Sequence, residues 1–189
     1  MQAKKVYIIH GYDAHPHKHW FVWLKGELEQ SKNVRVEILS LPNPSAPVLE
    51  EWLATLEVQI GVADEHSFII GHSLGCITTL RYVERLDSVA SVGGVLLVSG
   101  FDKPLSILPS LNPFTRKPLD YPKLRQIIKQ KVVLSAKNDT IVPTELSKEL
   151  AENLGAEFIQ TQTGGHFMES NGFTTFPLVL EKMQAMLGE

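Results

Sequence analysis

The chain has 189 residues, 43% apolar and 21% charged, with 18 Lys and Arg against 21 Asp and Glu for a formal net charge of -3. Such a balance gives no field to steer the protein toward nucleic acid or anionic lipid, and no apolar run approaches the ~20 residues a membrane helix requires, so neither is an expected partner. The single cysteine, Cys76, excludes an internal disulfide, and the opening residues hold only a short apolar run before His10 with no small-residue cleavage site, so a cytoplasmic setting is expected.

A chain of this size buries roughly 70% of its unfolded surface in one core, so a single domain over residues 1–189 is expected. In chain order, β-rich apolar runs fall at 6–9, 34–39, 68–70, 95–98, 132–134 and 158–160. They are too continuously apolar to have one wet face, which suits a parallel sheet covered on both sides. Between the second and third runs, Leu49, Trp52, Leu53, Leu56 and Ile60 recur at helical spacing. A helical pattern over 76–84 follows the third run. Leu146, Leu150 and Leu154 stand four apart behind Pro143, and Leu180, Met183 and Leu187 form a stripe beyond Pro177. The stretch 101–121 breaks the alternation with Pro104, Pro109, Pro113 and Pro118, and is expected to be an irregular excursion or small cap. The order defines a doubly wound sheet of about six strands, with ligands outside the carboxyl ends of the strands.

The sharpest motif is Gly71-His72-Ser73-Leu74-Gly75, set between the third apolar run and a helical pattern. In that context a G-x-S-x-G string reads as a nucleophile elbow, whose small flanking residues let strand and helix approach closely. A Gly-bracketed turn with Ser73 as a helix cap is the plainer alternative. A serine hydroxyl is a weak nucleophile near neutral pH, so the elbow calls for a histidine base and an orienting carboxylate in the order Ser, Asp, His. Asp139 follows the fifth run and His166, in Gly164-Gly165-His166-Phe167, follows the sixth. Asp102, after the fourth run, is the rival acid. The backbone N–H groups of Leu74 and Tyr12 are the candidate oxyanion donors, with His10 bracing the loop and Gly11 letting the backbone pass close.

These motifs, taken with His19-Trp20-Phe21, Trp23-Leu24, Leu41-Pro42-Asn43-Pro44 and Ile141-Val142-Pro143, cover essentially the whole chain. The combination resembles the YdeN family of small α/β-hydrolases, related to the retinoblastoma-binding serine hydrolases. The resemblance implies a minimal α/β-hydrolase fold, with helices on both faces of the sheet and no antiparallel strand pair before the His10 loop. It also implies Ser73, Asp139 and His166 as the triad. Val22 departs from the proline such sequences carry between Phe21 and Trp23, which bears on local helix geometry.

His15, His17 and His19 alternate as a metal site might, but no acidic or histidine set recurs after the later strands, so no metal is expected. Nor is a cofactor, since no dinucleotide or phosphate-binding glycine fingerprint is present. Cys76 is expected as a small buried residue and His72 as scaffold. Trp20, Trp23, Phe101, Phe114 and Phe167 are candidates either for an acyl pocket or for core and cap packing, whereas Trp52 is expected in the core. The expected activity is a serine hydrolase acting on a small-molecule acyl substrate, a carboxylic ester or thioester, at an open site suited to short chains. The alternative is a hydrolase-fold interaction module with little or no turnover.

Overall fold

Six apolar runs become strands in the computed structural model, which describes residues 2–188. They are β1 (Lys4–Ile9), β2 (Val34–Ile38), β3 (Ser67–His72), β4 (Val92–Val98), β5 (Ile128–Ala136) and β6 (Glu157–Thr161). All neighbouring pairs are parallel, in the order β2-β1-β3-β4-β5-β6. The chain leaves β1 toward β2 on one side and returns as β3 on the other, so the carboxyl ends of β1 and β3 flank the switch point where ligands bind in such sheets.

Alternate residues along each strand feed two separate cores. Val6, Ile8, Phe68, Ile70, Leu96, Val98, Val132 and Leu134 face α1 (Phe21–Leu28) and α7 (Pro177–Leu187). Tyr7, Ile9, Ile69, Val95, Leu97 and Val133 face α2 (Leu49–Ile60), α3 (Leu74–Arg85), α5 (Tyr121–Ile127) and α6 (Thr144–Leu154). Each fully buried aliphatic side chain contributes about 1.5–3 kcal/mol, which is why the strands read as unbroken apolar runs.

Several elements go beyond the sequence reading, α5, β5 and α1 among them. Strand β5 begins at Ile128, before its apolar run, because Ile128 pairs with Val92 and Gln130 with Gly94. Its polar entry, Lys129 and Gln130, stays exposed, so nothing in the composition marks a strand there. Helix α1 buries Phe21, Leu24 and Leu28. Its outer face carries Val22, 49% exposed, which blurs the amphipathic pattern.

The 101–121 stretch holds a 3-10 turn (Pro109–Leu111) and α4 (Asn112–Thr115). It is packed against the α2 and α3 layer through buried Phe101, Leu105, Leu111, Phe114 and Leu119. Arg81 of α3 straps it down, donating to the carbonyls of Phe114 at 3.3 Å, Pro118 at 3.3 Å and Lys117 while pairing with Glu84 at 2.9 Å. Among the described residues no helix is long and apolar enough to cross a membrane.

Candidate active site

The turn from β3 to α3 holds Ser73 at φ 55° and ψ -120°, a conformation that L residues rarely adopt. Two glycines permit the turn. A Cβ on Gly75 would lie 2.2 Å from the Ile9 carbonyl oxygen, and one on Gly71 would lie 2.8 Å from Cys76 Cα. The Ser73 N–H is tied to the Val98 carbonyl at 2.9 Å, which fixes the elbow to β4. Cys76 is wholly buried, its Sγ–H directed at the carbonyls of Gly71 (3.2 Å) and Val98 (3.3 Å), and burial pushes its thiol pKa up. It is a strut under the elbow.

The loop after β1 comes within touching distance of the serine, since a Cβ on Gly11 would meet Ser73 Cβ at 2.9 Å. His10 braces this loop. Its Nε2 accepts the Leu41 N–H at 3.2 Å, so Nδ1 carries the proton and donates to the Gly11 carbonyl at 2.9 Å. Burial lowers its pKa and keeps the ring neutral, outweighing the opposing effect of the Gly11 hydrogen bond. Among the described residues, the N–H groups of Tyr12 and Leu74 donate to no other backbone group. Tyr12 lies on the loop after β1 and Leu74 opens α3, on either side of the switch point.

His166 and Asp139 meet in a buried pair. His166 Nδ1–H donates to Asp139 Oδ2 at 2.9 Å, with Oδ1 at 3.2 Å, and Nε2 has no hydrogen-bond partner among the described residues. Asp139 Oδ1 also accepts the N–H groups of Ile141 (2.9 Å) and Val142 (3.0 Å), while Oδ2 accepts the Ser99 hydroxyl at 2.8 Å. Burial alone would raise the Asp139 pKa, but the hydrogen bond and charge attraction of His166 and the two backbone donors outweigh it and hold the carboxyl below its ordinary value.

The loop carrying His166 is fastened from several elements. His72 Nε2–H donates to the His166 carbonyl at 2.8 Å, and Trp20 Nε1–H to the Phe167 carbonyl at 3.0 Å. Asn138 Oδ1 accepts the Gly165 N–H at 2.9 Å, and Asn171 Oδ1 accepts the N–H groups of His166 and Met168, each at 3.2 Å. His72 packs between the rings of His166 (centroids 5.1 Å apart) and His19 (5.3 Å). Its own burial, and the two histidines beside it, keep its pKa well below the ordinary imidazole value.

The remaining candidates are dispersed. Asp102 makes no hydrogen bond with His166; its Oδ2 accepts the Tyr121 hydroxyl instead. His15 and His17 are exposed, joined by the His17 N–H to His15 Nδ1 at 3.2 Å. His19 turns inward, where Nδ1 accepts the Glu169 N–H at 3.1 Å and burial lowers its pKa to about 4. Among the described residues no group of three or more His, Cys, Asp or Glu is arranged to hold a metal. Trp20, Phe101, Phe114 and Phe167 are fully buried core residues, as is Trp52, and Trp23 is half-buried. Sequence reasoning passed over Ser99, Trp20 as a hydrogen-bond donor, and Asn171. The one local signal for Ser99 is a Ser-Gly pair just past β4, at the same carboxyl end of the sheet as the elbow.

The sheet order, the covered faces and the elbow define an α/β-hydrolase. The serine hydrolase family model matches residues 6–185, and the chain belongs to that family. It is 43% identical over 179 residues to YdeN of Bacillus subtilis (strain 168), covering 95% of this chain and 94% of that protein. The crystal structure of the B. subtilis ydeN gene product superposes with a TM-score of 0.95 at 42% identity, covering 99% of this chain and 100% of that one. Serine hydrolase RBBP9 of Rattus norvegicus is 25% identical over 169 residues, covering 89% of this chain and 86% of that protein. The protein is thus a hydrolase of this family.

Proposed function

We propose that the protein cleaves small carboxylic esters or thioesters through an acyl-enzyme on Ser73. In this reaction His166 Nε2 takes the hydroxyl proton as Ser73 Oγ attacks the acyl carbon, and the tetrahedral oxyanion is received by the N–H groups of Tyr12 and Leu74. Collapse breaks the bond to the leaving group, which takes its proton from His166. Water then attacks the acyl-enzyme, His166 again accepting a proton, and the carboxylic acid leaves with Ser73 restored. Asp139 holds His166 with Nδ1 protonated and stabilises the transient imidazolium.

The observation that carries this reading is the 2.9 Å bond from His166 Nδ1–H to buried Asp139, which commits one ring nitrogen and leaves Nε2 as an acceptor. Fluorophosphonate labelling followed by intact mass tests it. One adduct is expected on the wild type, absent from Ser73→Ala and strongly slowed in His166→Ala. A panel of p-nitrophenyl esters then defines chain length, with short acyl groups preferred; preference for chains beyond about ten carbons, more apolar area than an open site buries, would overturn that part. A folded wild type that takes no label would favour a hydrolase-fold interaction module with little turnover.

A further inference from the structure

Ser99 stands just past β4 with φ 51°, in the left-handed region, although it is not a glycine. The residue is fully buried. Its N–H continues the sheet ladder to the Leu134 carbonyl at 2.8 Å, and the next residue, Gly100, offers its carbonyl to the Ser147 hydroxyl at 2.7 Å. With its own N–H held by β5, the strained turn aims Ser99 Oγ–H at Asp139 Oδ2, the same oxygen that takes the shorter bond from His166 Nδ1. The other carboxylate oxygen is occupied by two backbone donors from the turn after β5. Asp139 is therefore gripped from β4, from its own loop and from the His166 loop, and of these contacts only the Ser99 hydroxyl both fixes Oδ2 and is independent of the histidine. A side chain placed in an uncommon backbone conformation to serve one acceptor points to a role beyond packing.

We infer that Ser99 is a positioning residue for the hydrolytic reaction, fixing the plane of the Asp139 carboxylate so that its Oδ2 meets His166 Nδ1–H. The inference rests on the proposed roles of Ser73, His166 and Asp139. Without the hydroxyl, Oδ2 is left with the His166 bond alone, and His166 loses alignment with Ser73 although substrate still binds.

The test compares wild type with Ser99→Ala, Ser99→Gly and Ser147→Ala for fluorophosphonate labelling rate and for kcat and KM on p-nitrophenyl acetate, with Ser73→Ala and His166→Ala alongside. Ser99→Gly removes the hydroxyl while relaxing the backbone, and Ser147→Ala removes a buried hydroxyl bond next door that does not reach Asp139. Both Ser99 variants should lose about 10-fold in labelling rate and kcat with KM within about two-fold, and Ser147→Ala should keep wild-type rates. Wild-type rates in either Ser99 variant, or an equal loss in Ser147→Ala, would overturn the positioning role. Continued labelling of Ser73→Ala would instead sink the reading of the site on which it rests.

Discussion

The side chain of His72 donates to the main-chain carbonyl of His166 at 2.8 Å, so the residue just before the elbow serine carries the loop that bears the histidine. Ser73 and His166, 93 positions apart in the sequence, are thereby positioned from one strand end. The His72 ring is 2% exposed and its Nδ1 has no partner among the described residues. It gives up one hydrogen bond in order to make the other.

Replacing His72 separates these effects. His72→Phe fills the space and removes the orphaned Nδ1, but leaves the His166 carbonyl unpaired, at a cost of about 1–3 kcal/mol. Turnover should drop by about 10-fold or more while the protein still melts cooperatively, because the loop carrying His166 loosens. Unchanged ester hydrolysis in a folded His72→Phe protein would show that the carbonyl needs no such support.

The proposed chemistry predicts a hierarchy. Ser73→Ala and His166→Ala should each lower turnover by several orders of magnitude, as the roughly million-fold losses known for a serine protease suggest, and Asp139→Asn by less. Asp102→Asn should remain near wild type, since its carboxylate is engaged with Tyr121. A crippled Asp102→Asn beside an active Asp139→Asn would transfer the acid role to Asp102.

Glycine substitutions should diverge in sign. Gly75→Ala drives a Cβ to 2.2 Å from the Ile9 carbonyl oxygen, a backbone atom that cannot yield without moving β1, so it should cost at least the ~1–3 kcal/mol of overpacking and lower the yield of folded protein. Gly26 sits inside α1, where a Cβ would meet nothing within 4 Å. Gly26→Ala should stabilise by up to about 1 kcal/mol. Thermal melts of the pair decide this, and a destabilised Gly26→Ala would contradict the open environment.

Acid should destabilise the fold in two stages. His10 and His72 are buried with pKa values below the ordinary 6.5, so as pH falls below 6.5 the unfolded chain takes up protons that the folded chain refuses. Stability then falls by up to about 1.4 kcal/mol per pH unit for each ring. Asp139 acts lower, because its pKa in the fold is below the ordinary 3.8. Its contribution is complete above 3.8 and is lost as pH falls through the lowered value. Melting temperatures should be level from pH 8 to 7 and drop between pH 6.5 and 5; a level response down to pH 5 would contradict neutral buried histidines.

Much of the fold was legible because burial on both faces forces unbroken apolar strands, and because the elbow between β3 and α3, pressed against the end of β1, leaves room for nothing larger than Gly71 and Gly75. The buried pair of His166 and Asp139 and the elbow at Ser73 were legible as candidates because each follows a strand at the carboxyl end of the sheet. Ser99 was not, since a serine beside a glycine at a strand end is also what an ordinary turn contains. Trp20 was hidden for a different reason: its indole serves the core, and only the path of the 167 backbone shows that its N–H has a partner. The lower half of β5 was missed because strand pairing there is made by the backbone alone.

The anchorage of the 101–121 stretch has one further consequence. Arg81 grips it by the carbonyls of Phe114, Lys117 and Pro118, and main-chain oxygens look alike whatever residue bears them. The clasp is blind to side-chain identity, so the exposed side chains of Arg116 and Lys117 can be rewritten without undoing it. This surface is therefore a natural place to graft a new recognition loop onto the hydrolase.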